Sequence, residues 1–230
     1  MAIRLITFDL DDTLWECASV ISAAEHVFYG WLGRHYPRIT QRLEPEALVH
    51  HRRTFFKTCE ALSHDVTSMR KQWLKKLARE FEYPEDLVEP GFRVFWEHRN
   101  AVTLFDDASD LLPELKQSYT VGAITNGNAD VHYIGVGHLF DFVVNAAEAG
   151  AAKPSPVIFN QALQHAGISA DDAVHVGDDP VTDVRGANEA GMRTVWFNPE
   201  RGPWPSGPRP DAEIASLPDL KGVLERWRQR

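Results

Sequence analysis

The second part of the chain alternates short apolar segments with helical segments, and this alternation constrains the fold more than any other feature. Ser155 and Pro156 begin one helix and Gly167 ends it, while Gly191 closes the next helix. Short runs rich in β-forming residues predict four strands, at Tyr119–Thr125, Phe142–Asn145, Ala173–Asp178 and Arg193–Phe197. Strand–helix alternation predicts an α/β fold with a mostly parallel sheet covered by helices on both faces, which makes three layers.

One more strand, Ile3–Asp9, stands apart from the others by roughly 100 residues, far beyond an ordinary connection. From about Glu16 to about Asn100, apolar residues recur at spacings of three and four, which predicts helices. We therefore predict a core formed by residues 1–15 and 101–230 and an all-helical domain inserted at residues 16–100. An insertion of this size could fold over the ligand crevice of the core.

Composition excludes several classes of protein. The chain is 43% apolar and 25% charged, which is typical of a folded protein. Acidic residues outnumber basic ones by 33 to 24, so a nucleic-acid partner is not expected. Cys17 and Cys59 have no metal-type spacing and predict no disulfide scaffold. Arg4 and Asp9 interrupt the first apolar run, so we expect no signal peptide and no membrane partner. The protein is expected to be cytoplasmic, as a monomer or a homodimer.

Polar side chains gather where the predicted strands end. The carboxyl ends of parallel strands meet at one edge of a sheet, and open α/β sheets bind their ligands there. Four separate segments place such groups at this edge: Asp9 to Thr13, Thr125 to Asn128, Lys153, and Asp178 with Asp179 and Asp183. A purely structural sheet does not need this arrangement, so the edge is predicted to be a functional site.

These residue types suit phosphoryl transfer. Asp9, Asp11 and Asp178 offer clustered carboxylates, and hard oxygen ligands of this kind suit Mg²⁺. Lys153 could neutralise charge on a bound phosphate. The Thr125 hydroxyl, with the backbone N–H groups of Asn126 and Gly127, could hold phosphate oxygens.

A two-step mechanism uses all of these groups. Asp9 would attack phosphorus and form an aspartyl phosphate. Asp11 would protonate the leaving alcohol and then activate water to hydrolyse the intermediate. The predicted activity is therefore hydrolysis of a small phosphate monoester.

Four segments, in order, resemble the four motifs of the haloacid dehalogenase superfamily of hydrolases: DLDDTLW, ITNGN, Lys153-Pro154 and GDDPVTDVRGA. The resemblance runs from Asp9 to Ala187 and implies a Rossmann-like core, a helical cap and Mg²⁺. It implies Asp9 as nucleophile and Asp11 as acid and base, with Asp9, the backbone oxygen of Asp11, and Asp178 on the metal. It also implies phosphate binding by Thr125, Asn126, Gly127 and Lys153. Of these, Thr125 and Lys153 are implied to take part in catalysis as well. Asp179 and Asp183 are implied to support the site.

The acid at position 11 favours a phosphatase over a 2-haloacid dehalogenase, because a leaving halide needs no proton. HVGDDPVTDV, ITNGNA and His64–Thr67 are similar to the flavin-pathway members, which act on flavin mononucleotide (FMN) and the aminouracil ribitylphosphate precursor of riboflavin. Such a substrate would suit aromatic surface on the cap, offered by Phe55, Phe56, Trp73 and Trp96. The alternatives are a sugar phosphate, phosphoglycolate or a nucleotide monophosphate as substrate, and a receiver-type phospho-aspartate signalling module.

Overall fold

The structure is a computed structural model, which describes residues 3–205 and 207–229. The chain divides into two compact units. The first, called here the core unit, consists of Met1–Glu16, Thr103–Gly127 and Val131–Arg230. The second, called the helical unit, consists of Cys17–Val102 and Asn128–Asp130. Residues 1, 2, 206 and 230, which the predicted domain boundaries include, lie outside the described residues.

Among the described residues, six strands of the core unit form one sheet in the order β3-β2-β1-β4-β5-β6. Every pairing in this sheet is parallel, which confirms the predicted α/β class. The strands are β1 Leu5–Phe8, β2 Thr120–Thr125, β3 Phe142–Asn145, β4 Ala173–Gly177, β5 Arg193–Phe197 and β6 Ala212–Ile214.

The central strand β1 explains both the burial of the sheet and the position of its functional edge. All four residues of β1 are buried, so both faces of the sheet are covered there. Phe8 pairs with Ala123 of β2 and with Val176 of β4. The three strands therefore end at nearly the same level, and the segments that follow them leave the sheet at one edge.

The helical unit is held by an apolar cluster of its own. Phe28 and Leu32 contribute from its first helix, Trp73 and Leu77 from its fourth and Phe95 from its fifth. Their spacings of three and four are those that predicted helices in this region. The helices are α1 Ala18–His35, α2 Pro37–Thr40, α3 Pro45–Phe56, α4 Val66–Glu80 and α5 Val88–Arg99, with single 3-10 turns at Glu60–Leu62 and Glu85–Leu87.

Helix α9, Pro156–Ala166, begins and ends at the residues that predicted it. The Ser155 hydroxyl accepts a hydrogen bond from the N–H of Val157 at 3.4 Å, and Gly167 ends the same helix with φ +63°. The helices of the core unit are α6 Asp106–Leu115, α7 Val131–Ile134, α8 Ala146–Ala149, α9 Pro156–Ala166, α10 Gly186–Glu189 and α11 Asp219–Arg228, with 3-10 turns at Gly137–Leu139 and Ala170–Asp172. No helix among the described residues is long and apolar enough to cross a membrane.

Strands β1, β2 and β4 are shorter than predicted by three, one and one residues, and two elements were not predicted. The short edge strand β6 was not predicted, because its three residues follow a Pro- and Gly-rich loop and have no apolar run. The helix closing at Gly191 begins with a π-helical turn at Pro180–Arg185, in which the N–H of Val184 donates to the carbonyl of Asp179 at 3.3 Å. This wider turn carries Asp183 back toward the sheet edge.

Candidate active site

A buried lysine bridges two buried carboxylates at the carboxyl edge of the sheet. Asp9 directly follows β1, and its backbone N–H donates to the carbonyl of Val176 at 2.9 Å. The Lys153 Nζ donates to Asp9 Oδ1 at 2.5 Å and to Asp183 Oδ1 at 2.6 Å. The Lys153 side chain is only 2% exposed and that of Asp9 is 11% exposed. Three segments distant in sequence therefore meet in one charged cluster.

The charges of this cluster depend on one another. Burial raises the pKa of Asp9 above its ordinary value, and Lys153 opposes that rise. Burial also disfavours the charge of Lys153, but Asp183 and Asp9 outweigh it and raise its pKa. At Asp183, the effect of burial is overcome by Lys153 and His175, which hold the pKa of that carboxyl well below its usual range. Asp183 is therefore ionised, and Asp9 is the carboxylate that gains most from a further positive charge.

Asp183 is fixed by more partners than its sequence position predicted. Its Oδ1 lies 3.2 Å from His175 Nε2, and its Oδ2 accepts from the N–H of Asp179 at 3.0 Å. Burial lowers the pKa of His175, so the ring is neutral, and its Nδ1 lies 2.9 Å from the Thr7 hydroxyl. Sequence reasoning missed His175. The available signal was a lone polar residue inside the apolar strand β4, two positions before Gly177.

Asp178 is a further carboxylate whose ionisation a nearby cation would favour. The Thr13 hydroxyl donates to its Oδ1 at 3.2 Å, and the Trp196 indole donates to its backbone carbonyl at 2.7 Å. Burial, followed by the charges of Asp183 and Asp12, raises the pKa of Asp178 to about 6. An uncompensated carboxylate of this kind is stabilised by a bound positive charge.

The donor set fits a hard divalent cation. Ligand atoms of Asp9, Asp178 and Asp183 lie within 4.8 Å of one another. Both oxygens of Asp183 already accept hydrogen bonds, so Asp9 and Asp178 are the side chains best able to hold Mg²⁺. The supporting role of Asp183 stays a prediction.

Asp11 is held by an indole N–H. The Trp15 Nε1 donates to Asp11 Oδ1 at 2.7 Å, and Trp15 is fully buried. Between them the chain turns at Asp12, which adopts a left-handed backbone conformation with φ +61° and donates its N–H to the carbonyl of Trp15 at 2.8 Å. The Asp12 side chain is exposed, as expected for the residue between the two acids.

The expected phosphate-binding loop follows β2. The Thr125 hydroxyl accepts from the N–H of Gly127 at 3.0 Å, which closes a tight turn. The Asn126 side chain makes a reciprocal pair with Lys153, accepting from its N–H at 2.7 Å and donating to its carbonyl at 3.0 Å. Asn126 thus joins this loop to the lysine loop through its side chain, a contact between distant segments that no local sequence pattern predicts.

The structure does not bring every predicted residue into the cluster. The exposed carboxylate of Asp179 accepts from the N–H groups of Val181 and Thr182 at 2.8 and 2.7 Å. Asp179 therefore caps the π-helical turn that carries Asp183, and its side chain faces that turn. Its support of the site passes through the backbone.

The helical unit corrects one expectation about aromatic surface. Trp73 is fully buried, and its indole donates to His51 Nδ1 at 2.9 Å, so its ring is packing and not ligand surface. In the His64–Thr67 segment, Asp65 caps α4 by accepting from the N–H of Ser68 at 2.9 Å, and Thr67 accepts from Asn128 Nδ2 at 3.0 Å. Both side chains therefore have structural partners.

Solved structures and curated proteins resemble this chain over nearly its whole length. A crystal structure named as 2-haloacid dehalogenase from Pseudomonas syringae pv. Tomato DC3000 is 38% identical, with a TM-score of 0.91 over 98% of this chain and 99% of that one. The 5-amino-6-(5-phospho-D-ribitylamino)uracil phosphatase YigB of Escherichia coli (strain K12) is 29% identical over 96% of both chains. The phosphoserine phosphatase of Thermus thermophilus is also 29% identical, over 94% of this chain and 97% of the other.

The family assignment follows from a match over most of the chain. The sequence model of the haloacid dehalogenase-like hydrolases matches residues 3–191, which include every segment that forms the site. This match, together with the phosphatase relatives, confirms the expectation of a hydrolase with a cap domain. The chain therefore belongs to the haloacid dehalogenase-like hydrolase family.

Proposed function

We propose that the chain is a Mg²⁺-dependent phosphatase that hydrolyses small phosphate monoesters through an aspartyl phosphate. The observation that carries this proposal is the cluster in which buried Asp9 meets Lys153, with Asp178 within ligand distance. Asp11, two residues after Asp9, supplies the acid that a leaving alcohol needs. Halide displacement makes no use of that acid.

In the first step, a carboxylate oxygen of Asp9 attacks phosphorus as the bond from phosphorus to the leaving oxygen breaks. The carboxyl group of Asp11 gives its proton to that oxygen, and a neutral alcohol departs. Lys153 offsets negative charge beside Asp9 throughout. Asp9, Asp178 and the backbone oxygen of Asp11 would hold Mg²⁺, whose positive charge would let the two anions approach.

In the second step, ionised Asp11 takes a proton from water as the water oxygen attacks phosphorus. The bond between Asp9 and phosphorus breaks, inorganic phosphate leaves, and Asp11 is again protonated. Phosphate oxygens accept from the Thr125 hydroxyl and the Asn126 N–H, while the Gly127 N–H donates to the Thr125 oxygen and orients that hydroxyl. Phosphate monoesters are so inert that this positioning and charge neutralisation supply most of the rate.

The substrate that we propose is FMN or a ribitylated pyrimidine phosphate. The support comes from YigB, which acts on such a pyrimidine phosphate and aligns with this chain over 96% of the length of each protein, at 29% identity. The curated relative from Thermus thermophilus acts on phosphoserine, so an amino acid phosphate belongs in the same comparison. Sugar phosphates, phosphoglycolate and nucleotide monophosphates complete the set of small esters to be compared.

A second candidate function is hydrolysis of a 2-haloacid, favoured by the 38% identical structure that bears this name. Asp9 would then attack carbon, halide would leave, and water would hydrolyse the resulting ester. A receiver-type signalling module is disfavoured because the chain belongs to a hydrolase family.

Phosphate release from a panel of monoesters tests the proposal. The panel contains FMN, 5-amino-6-(5-phosphoribitylamino)uracil, phosphoserine, phosphoglycolate, a sugar phosphate and a nucleotide monophosphate, each with Mg²⁺. We expect turnover of at least one ester and a loss of about 10⁴-fold or more in Asp9→Asn, because an amide cannot form the intermediate. Halide release from 2-chloropropionate is measured beside it.

Asp12→Asn is the matched control, since it makes the same substitution at an exposed acid. Asn also tolerates the left-handed backbone found at this position. Its activity should stay within about threefold of the wild type, in line with surface substitutions. Halide release without phosphate release would contradict the phosphatase proposal and favour the dehalogenase. A single phosphorylation of the protein without turnover would favour the signalling module.

A further inference from the structure

We infer that Trp15 is a positioning residue for the proton transfers of Asp11, acting through its indole N–H. This inference rests on the proposed phosphatase function, because only a leaving alcohol makes use of the proton. It starts from the 2.7 Å hydrogen bond between Trp15 Nε1 and Asp11 Oδ1.

The direction of this bond decides which oxygen of Asp11 can carry the proton. An indole N–H is a donor only, so it bonds to a lone pair of Oδ1 and keeps that oxygen in the accepting role. The proton destined for the leaving alcohol then lies on Oδ2. This hydrogen bond restrains the rotation of the carboxyl group and distinguishes its two oxygens.

The indole is itself rigidly placed. Trp15 is fully buried. Its carbonyl accepts from the N–H of Asp12 at 2.8 Å, and the preceding Leu14 carbonyl accepts from the N–H of Phe105 at 2.9 Å. The N–H of Leu14 in turn donates to the carbonyl of Leu10 at 2.8 Å. Because the loop is tied on both sides of Asp11, the carboxyl group is held in place before substrate binds, which favours fast proton transfer.

The hydrogen bond from Trp15 Nε1 to Asp11 Oδ1 persists through both steps of the reaction. In the first step the proton moves from Asp11 Oδ2 to the leaving oxygen as the phosphorus–oxygen bond breaks. In the second step a water proton returns to Oδ2 as the water oxygen bonds to phosphorus and Asp9 departs. Oδ1 accepts from the indole in both, so Trp15 needs to move for neither.

Trp15→Phe tests the inference because it keeps a buried aromatic ring. It removes the N–H donor and makes the side chain smaller by one of the two fused rings. Leaving groups separate the two roles that Trp15 could have. p-Nitrophenolate leaves without a proton, whereas an alkyl alcohol needs one. We expect kcat/KM to fall about 10- to 100-fold for the best alkyl phosphate of the panel and less than about threefold for p-nitrophenyl phosphate.

A double-mutant cycle keeps the test decisive if the variant is less stable. The rate of the p-nitrophenol burst is compared in Asp11→Asn and in Asp11→Asn with Trp15→Phe. If Trp15 acts through Asp11, adding the second substitution changes this rate by less than about twofold. Trp227→Phe, which makes the same replacement on α11, is the control and should leave both substrates unaffected.

Two results would overturn the inference. Equal losses on both leaving groups would mean that Trp15 supports the fold alone, and so would a full additional loss in the Asp11→Asn background. Failure of the proposed function is a different result, in which the wild type releases no phosphate from any ester.

Discussion

Asp183 packs against the backbone of Gly177, and the approach leaves no room for a side chain at position 177. A Cβ added to Gly177 would lie 2.3 Å from the Asp183 Cγ and 2.6 Å from its Cβ. Asp183 is 1% exposed and is also bonded to Lys153 and His175, so it has little freedom to retreat. The glycine is therefore required at the site itself, because it sets the distance between β4 and the π-helical turn.

Gly177→Ala should consequently displace the Asp183 carboxylate and, with it, the Lys153 ammonium that contacts Asp9. We expect kcat to fall about 100-fold, as for other small displacements of catalytic groups, and overpacking to cost about 1–3 kcal/mol of unfolding free energy. Steady-state kinetics and urea denaturation measure the two effects.

Gly30→Ala is the matched control for that substitution. Gly30 lies in α1, and nothing lies within 4 Å of a Cβ placed there. This change should leave kcat unaltered and raise the unfolding free energy by about 0.5–1 kcal/mol, since alanine is the better helix former. A Gly177→Ala enzyme with wild-type kcat would contradict the role assigned to this contact.

At the scale of elements, helix α4 begins at a carboxylate. Asp65 accepts from the N–H of Ser68, and this bond serves one of the donors that a helix leaves unsatisfied at its first turn. Burial opposes the ionisation of Asp65, but hydrogen bonds from Ser68 and Thr67 outweigh it and lower its pKa. The carboxylate therefore stabilises the folded helical unit above the ordinary aspartate pKa, and this contribution is lost as the pH falls through the lowered value.

Asp65→Ala should lower the free energy of unfolding at pH 7 by about 1 kcal/mol. Asp65→Asn should keep most of the stabilisation that the cap provides, because asparagine is an equally good N-cap. Hydrogen exchange of the Ser68 amide gives the local measurement, and urea denaturation followed by circular dichroism gives the global one. If the alanine and asparagine variants lost the same stability, the cap would not be the source of the effect.

The sequence predicted the elements better than their ends. Strands β3 and β5 begin and end at the predicted residues, because apolar runs bounded by turn residues specify them locally. The π-helical turn and β6 escaped prediction, since both depend on tertiary pairing. Likewise, the edge of the sheet that gathers the acids followed from topology, while the contacts of His175 and Asn126 needed the folded chain.

For the whole molecule, the clustered carboxylates make stability depend on a cation. A ligand that binds only the folded state stabilises it by RT ln(1 + [L]/Kd), which is about 2.7 kcal/mol at 100 times its Kd. For a chain of this size that corresponds to a rise in Tm of roughly 5–10 °C. Saturating Mg²⁺ should therefore raise the Tm of the wild type at pH 7.5, and chelation should reverse the rise.

The same rise should shrink at pH 5.5, because the pKa of Asp178 is raised to about 6 and protons then compete with the cation. Below this pKa the Asp178 carboxyl is neutral in the folded state and binds the cation more weakly, so the cation raises the Tm less. Asp178→Asn should lose most of the Mg²⁺-dependent rise at both pH values. An unchanged rise in that variant, measured by differential scanning calorimetry, would place the cation elsewhere and leave Asp178 as a partner of Thr13 alone.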